Sequence, residues 1–302
     1  MSWPKITIVT PSYNQGKFLE QTIRSVLLQN YPNLEYIIID GGSDDETSEI
    51  LEKYSHWISY SQQEKDGGQG NAINIGFSMG SGFINSWINS DDYLADGSLF
   101  KVAELFCKET DMIAGGVQNF DAGGYKTLYW NKKLTINDML NISNEYVYHQ
   151  PGVWMRTCVV KQLGGFRKDL HYCFDQEFML RYLAVNDNVI YLNKILAFFR
   201  LHQSSKTVSE SPGFQRDFQQ LYNEYSEKSR KTKYAKLARR KKNHYDWLIF
   251  RSSANLHVYS RLKALKIVIK EISTDPFNRL NAVSLGWLKH ILFGKRNDQE
   301  NI

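Results

Sequence analysis

Cysteine is scarce in this chain: three residues in 302, Cys107, Cys158 and Cys173, without C-x-x-C spacing or an accompanying set of ligand histidines. The odd number and the spacing argue against a disulfide framework and a structural zinc site, and suit free thiols in a reducing compartment. Long apolar runs are missing too. No stretch of 18 or more apolar residues occurs, which sets aside a membrane-spanning helix. Met1-Ser2-Trp3-Pro4 leads into a strand-like run without a secretory pattern, so a cytoplasmic location is expected. The chain also lacks G-x-x-x-x-G-K-[ST], and after the first strand Pro11-Ser12-Tyr13-Asn14-Gln15-Gly16 offers one glycine where G-x-G-x-x-G would need three. P-loop chemistry and a dinucleotide-binding dehydrogenase are thereby disfavoured. Neither a solenoid repeat nor a long low-complexity tract is found.

What is present reads as alternating strands and helices. Lys5 to Thr10 is a β-branched run, and a helical pattern follows through Leu19, Ile23, Val26 and Leu27. Leu34 to Ile39 repeats the form, ending at Asp40 before Gly41-Gly42-Ser43-Asp44-Asp45 and a helix carrying Ile50 and Leu51. Phe83 to Ile88 is a third strand-like run, followed directly by Asn89-Ser90-Asp91-Asp92. Two carboxylates at a strand's carboxyl end sit where an open α/β sheet holds its ligand. Magnesium is usually held by one or two carboxylates plus substrate phosphates. Capping of the next helix is the other reading of Asp91 and Asp92.

With these residues in order, the chain resembles glycosyltransferase family two, the inverting enzymes of the GT-A fold that use nucleotide-sugar donors. The resemblance covers about residues 4 to 205. Its carriers are Pro11 to Asn14, Asp40 to Thr47, Glu64 to Gly76, Asn89 to Asp92, Gly164-Gly165-Phe166, Phe174-Asp175-Gln176-Glu177 and Phe199-Arg200-Leu201-His202. It implies an α/β fold, a Rossmann-like mixed sheet flanked by helices. It implies a nucleotide-sugar pocket containing Pro11, Ser12, Tyr13 and Asn14, with Asp40 accepting a hydrogen bond from a nucleobase, most often uracil. Asp66, Asn71, Asn74, Asn89, Ser90, Asp92 and Arg200 would complete that pocket. Asp91 and His202 would meet Mn2+ or Mg2+. Asn89 stands where many members carry the first aspartate of D-x-D, and Asn71 where close relatives often have Asp. Asp175 aligns with the family's general base, with Glu177 as the second candidate. For Asp66, Asn74 and Asp175, helix capping stays open beside these roles. Tyr148, Trp130 and Trp154 offer flat faces for sugar stacking, or are core material.

Charge divides the chain. Residues 1–210 hold 18 Lys and Arg against 24 Asp and Glu, a net of −6, and residues 211–302 hold 19 against 8, a net of +11. A catalytic domain over 1–210 and a basic helical extension over 211–302 are expected, joined near Ser204 to Gly213. The extension should start with a helix from Phe214 to Arg230, followed by a basic cluster from Lys228 to Lys242. Leu262, Leu265, Ile269 and Ile272, then Leu285, Leu288 and Leu292, recur at helical spacing. A basic amphipathic helix suits the anionic inner face of the cell membrane. A bundle packed on the catalytic domain or on a second subunit is the other reading. No nucleic-acid motif accompanies the basic cluster.

The expected function is metal-dependent, inverting transfer of a hexose from a nucleotide diphosphate, UDP above others, to a saccharide. If the basic helices hold the chain at the inner membrane face, a polyprenyl-diphosphate-linked saccharide becomes the economical acceptor, and the product would be capsule, O-antigen or a related bacterial surface glycan. A sugar nucleotidyltransferase and a catalytically weakened assembly scaffold, suggested by Asn89, are the alternatives.

Overall fold

A computed structural model describes residues 3–141, 147–186, 188–206, 211–228, 232–254, 259–274, 276, 280 and 282–293. Its contacts form two compact units, Met1–Met139 with Ser143–Ser211, and Leu140–Ile142 with Pro212–Ile302. The first unit opens with β1 (Ile6–Ser12), α1 (Gly16–Leu27), β2 (Leu34–Asp40), α2 (Thr47–Tyr54), β3 (Tyr60–Gln63), α3 (Gln69–Met79) and β4 (Ile84–Trp87). These strands pair in parallel in the order β3-β2-β1-β4, as helical crossovers require. There follow β5 (Tyr93–Leu94), α4 (Ser98–Leu105), β6 (Met112–Phe120), β7 (Lys126–Trp130), α5 (Ile136–Leu140), a 3₁₀ turn over Gln150–Gly152, β8 (Val153–Arg156), α6 (Thr157–Gln162), α7 (Phe174–Val185) and β9 (Val189–Arg200). β8 runs antiparallel to both β4 and β6, β9 is parallel to β6 and antiparallel to β5, and β7 pairs antiparallel with β6. The expected mixed sheet flanked by helices is what the chain forms, with nine strands among the described residues.

Two boundaries differ instructively from the sequence pattern. β1 runs on through Pro11 and Ser12, opposite Ile39 and Asp40. β4 pairs with β1 only as far as Val9, and alternation turns Pro11 toward that vacated edge, where its missing N–H costs nothing. β9 starts at Val189, well ahead of the Phe199-Arg200 motif, with its register to β6 shifted around Gly116. That irregularity hides the first half of the strand from a period-two reading.

The two sheet faces are packed differently. Ile6 and Ile8, Tyr36 and Ile38, and Ile84 bury one face against Leu19, Ile23 and Val26 of α1, Ile50 and Leu51 of α2, and Leu99 and Val102 of α4. On the other face α3 lies close, because a Cβ at Gly76 would stand 2.5 Å from Val9. There Phe77, Trp87, Phe166, Phe174 and Phe178 make a chain of aromatic contacts. Trp154 is fully buried against the first face, so the core reading holds and sugar stacking does not.

Glu35, at the start of β2, accepts hydrogen bonds from Lys5 Nζ at 2.7 Å, Thr7 Oγ1 at 2.5 Å, and Ser81 N at 2.6 Å. Burial raises its pKa, but these donors outweigh burial and hold the carboxyl at about 2. A depressed acid adds stability above its unfolded pKa of about 4.3, and that stability is lost as pH falls toward the folded value. Glu35→Gln should therefore cost up to about 3 kcal/mol at pH 7. In urea titrations its deficit against the parent should shrink steadily from about pH 4 to pH 2.

The second unit comprises α8 (Ser211–Lys228), α9 (Lys233–Ala254), α10 (Arg261–Thr274) and α11 (Ala282–Phe293). Trp247, Ala264, Val268 and Ile291 form its core. Residues 229–231 of the expected first helix and basic cluster, and 207–210 of the expected junction, lie outside the described residues. Among the described residues no helix is long and apolar enough to cross a membrane.

Candidate active site

The carboxyl ends of β1 and β2 are joined by a mutual brace. Asn14, at φ 51°, receives Asp44 N–H on its Oδ1 at 3.1 Å, and its own N–H donates to Ser43 Oγ at 2.8 Å. Gly16 N–H donates to Asp45 Oδ2 at 2.8 Å. Asp40 is fully enclosed and accepts from Gly42 N, Ser43 N and Ser43 Oγ at 3.2, 2.9 and 2.6 Å. A carboxylate offers about four lone-pair sites, and these three bonds fix the turn that follows β2. Ser12 Oγ is buried without a hydrogen-bond partner. The exposed Tyr13 ring and the Asp66 carboxylate flank Gly41, each 3.2–3.3 Å from where a Cβ would stand. Asp66 also accepts Gly68 N–H at 2.7 Å, and Asn71 Nδ2 donates to Asp66 O.

After β4, the four-residue Asn89–Asp92 segment separates its acids. Asp91 Oδ2 lies 3.0 Å from His202 Nε2. The His202 ring rests 4.8 Å from Phe18. Arg200 donates from Nε to Asp91 O at 2.9 Å and from Nη2 to Gln21 Oε1 at 2.6 Å, its guanidinium 4.7 Å from both the Phe18 and Phe120 rings. Arg200 therefore positions Asp91 in this structure. Asp92 turns inward, 1% exposed. Its oxygens accept Arg200 N–H at 2.9 Å and Asn89 Nδ2 at 3.1 Å. Burial first, then the Asp91 charge, pushes its pKa well above the usual carboxylate range. In this structure Asp92 ties the Arg200 backbone to the Asn89 side chain. Ser90 is buried, and its carbonyl accepts Thr22 Oγ1 at 2.9 Å. Asn89 Oδ1 accepts Gln69 Nε2 at 2.9 Å.

A second acid stands at the start of α7. Asp175 accepts its neighbour Gln176 N–H at 2.8 Å, yet burial lifts its pKa to about 6. Cys173, not Asp175, occupies the N-cap position. The Tyr148 hydroxyl is enclosed without a hydrogen-bond partner, and burial followed by the Asp175 charge drives its pKa well upward. Gly70, in the first turn of α3, packs on the Phe174 ring, 3.3 Å from a notional Cβ. Beside it Gly67 to Asn71, Arg167, Lys168 and His171 line a solvent-open recess.

Two expected site residues serve this architecture. Asn74 accepts Phe166 N–H at 2.7 Å and donates to Phe166 O at 2.9 Å, so its amide is consumed in holding the Gly165-Phe166 turn. Glu177, 4% exposed, meets Arg181 through both oxygens at 2.8 Å. Arg181 in turn donates to Leu163 O and Gly165 O, each at 2.7 Å. Both oxygens of Glu177 are thus engaged by Arg181.

Among the described residues no group of three or more His, Cys, Asp and Glu is assembled for a metal. Asp91 and His202 are a pair. That donor set fits a divalent cation that completes its shell with diphosphate oxygens and water. Gln69, Gln21, Phe18 and Lys206 were not singled out by the sequence pattern. Lys206 Nζ lies 3.3 Å from Gln69 Oε1, and no local spacing signals such a contact across 137 residues.

The family model described as glycosyl transferase family 2 matches residues 7–171. Glycosyltransferase GlyG of Streptococcus pneumoniae serotype 4 is 25% identical over 218 residues, 66% of this chain and 72% of that protein. An uncharacterized glycosyltransferase of Rickettsia typhi is 27% identical over 213 residues, 68% of this chain and 66% of that one. The crystal structure of S. aureus TarS 1–349 in complex with UDP superposes with a TM-score of 0.62 at 18% identity, over 87% of this chain and 78% of that chain. Mannosyltransferase PcManGT from Pyrobaculum calidifontis, in complex with GDP-Man and Mn2+, gives 0.60 at 14% identity, over 97% and 85%. At these identities the two structures establish the fold.

Proposed function

The chain belongs to glycosyl transferase family 2, and from that membership we propose that it moves a sugar, with inversion, from a uridine diphosphate donor to a saccharide acceptor. The observation that carries this reading is the contrast between two carboxylates. Asp91, after β4, is paired with His202 and is suited to a cation, whereas Asp175, on α7, is lifted by burial to about 6, near the pH at which a general base must work. Asp175 takes the proton of the acceptor hydroxyl. The oxygen so freed attacks the anomeric carbon as the bond to the diphosphate breaks, and the nucleoside diphosphate leaves with the electron pair. A divalent cation at Asp91 and His202 would stabilise the charge gathering on that leaving group. Tyr13, Ser12 and the Asp40 turn would receive the base and ribose, and the α3 N-terminus beyond Gly68 favours anionic groups. A nucleotide-sugar donor is supported by the neighbours, TarS in complexes with UDP and with UDP-GlcNAc and PcManGT in complex with GDP-Man.

The scaffold alternative rested on Asn89. Its amide donates to the buried Asp92, a bond that an aspartate could not give and whose charge would stand beside a second acid. Asn89 therefore suits the site as built. For the acceptor, we read a saccharide on a polyprenyl diphosphate at the inner membrane surface, in the making of a bacterial surface glycan. The net charge of +11 over residues 211–302 supports that location.

Isothermal titration against UDP, GDP, dTDP and CDP, each with and without Mn2+, tests the reading. Metal-dependent binding of UDP above the others is the expected result. Absence of binding by all four would remove the active transferase as proposed.

A further inference from the structure

We propose that the outer face of the hairpin made by α10 and α11 is a contact surface for an anionic lipid bilayer, on which the chain lies without crossing it. The proposal rests on the membrane location read above, but its residues differ from the basic cluster at 228–242. The inner face of the hairpin is already used. Ala264 and Val268 of α10 and Ile291 of α11 bury against Trp247 of α9, with Leu265, Ile272, Trp287 and Leu288 packed around them. Yet Leu262 is 73% exposed, Ile269 52%, Leu285 54%, Leu292 44% and Phe293 78%. A second apolar set of this size on two short helices is not core material left over by chance.

The arrangement is regular. Arg261 Nη1 donates to Leu292 O at 3.5 Å, which sets the start of α10 beside the end of α11. Seven residues are close to two full turns, so Leu262 and Ile269 share one side of α10, and Leu285 and Leu292 one side of α11. In the antiparallel register Leu262 comes level with Leu292, and Ile269 with Leu285. The two rungs stand about 10 Å apart along the axis.

Charge selects the occupant. The two helices carry Arg261, Lys263, Lys266, Lys270 and Lys289 against Glu271 alone. A second copy of the same face would bring these cations against one another, and like charges in register oppose such pairing. A plane of anionic headgroups over an apolar layer meets both features: the leucines enter the headgroup boundary and the lysines remain at its surface. Neither helix is long and apolar enough to span.

Flotation of the full chain with phosphatidylcholine vesicles, and with mixed phosphatidylcholine and phosphatidylglycerol vesicles, tests this, with UDP titration run on the same samples. Partition onto the mixed vesicles alone is expected. The quadruple variant L262S/I269S/L285S/L292S should weaken it by about tenfold or more, as should K263Q/K266Q/K270Q. All seven positions are exposed, so helix content by circular dichroism should stay unchanged. Partition insensitive to the four serines would overturn the apolar contact. So would vesicle-independent dimerisation that those serines abolish, which would assign the face to a second copy. Vesicle binding with no nucleotide binding would sink the transferase reading and leave the surface standing. Nucleotide binding with no partition would do the reverse.

Discussion

Asp175→Asn is expected to bind the donor nucleotide as the parent does and to lose transfer by roughly 10²–10⁴-fold, the usual contribution of a positioned base. The amide keeps the size of the carboxyl and its acceptor oxygen for Gln176 N–H, but it takes no proton. In the parent, turnover should rise with pH through about 6, because only the ionised form is a base. That rise should vanish in the residual activity of the variant. A stability measurement separates this role from capping. Burial raises the folded pKa of Asp175 from an ordinary 3.8 to about 6, so its ionisation works against folding. The parent should lose stability as pH climbs from about 4 to 6. The asparagine variant escapes that loss, and at pH 7 it should be more stable by on the order of 2–3 kcal/mol. A residue that merely capped α7 would show stability lost or unchanged. Normal turnover in Asp175→Asn would remove it as base.

Asp91→Ala should abolish metal-supported donor binding and turnover together. A cation on a leaving diphosphate supplies several kcal/mol of transition-state stabilisation, and each 1.36 kcal/mol is tenfold, so turnover should fall by about a thousandfold or more. Nucleotide affinity in Mn2+ should drop to the value seen in chelator. Fold should survive, because Arg200 holds the Asp91 main-chain carbonyl and not its carboxylate. Titration of UDP with Mn2+ varied, alongside thermal melting, checks both halves. Affinity that still responds to Mn2+ in the variant would move the cation elsewhere.

The alternation of strand, loop and helix through residue 88 was legible because apolar period and turn residues coincide there. Asp91, His202 and Asp175 could be chosen because each follows or opens a regular element, where open sheets gather their ligands. For Asp92 and Asn74, local spacing carries no signal of which way the side chain turns. Whether a polar side chain faces a ligand or its own protein depends on partners far along the chain: Arg200 for Asp92, and Phe166 for Asn74, 92 residues away. Glu177 had its partner at i+4, and the Glu-to-Arg spacing on one helix was the available signal. β7 and β5 carry little alternation of their own, and they are strands because the long β6 and β9 give them an edge.

The brace between Asn14 and the 43–45 segment bears on the thermodynamics of donor capture. Both loops are already tied to each other through Asn14, Ser43, Asp44 and Asp45. A nucleotide entering there finds walls that need not be ordered on arrival, so little of its interaction enthalpy is cancelled by frozen backbone. Association should then resemble rigid docking in rate and leave a small conformational entropy term. Selectivity among bases would accordingly come from fit to a fixed rim, since a wrong base cannot coax one loop to move without carrying the other.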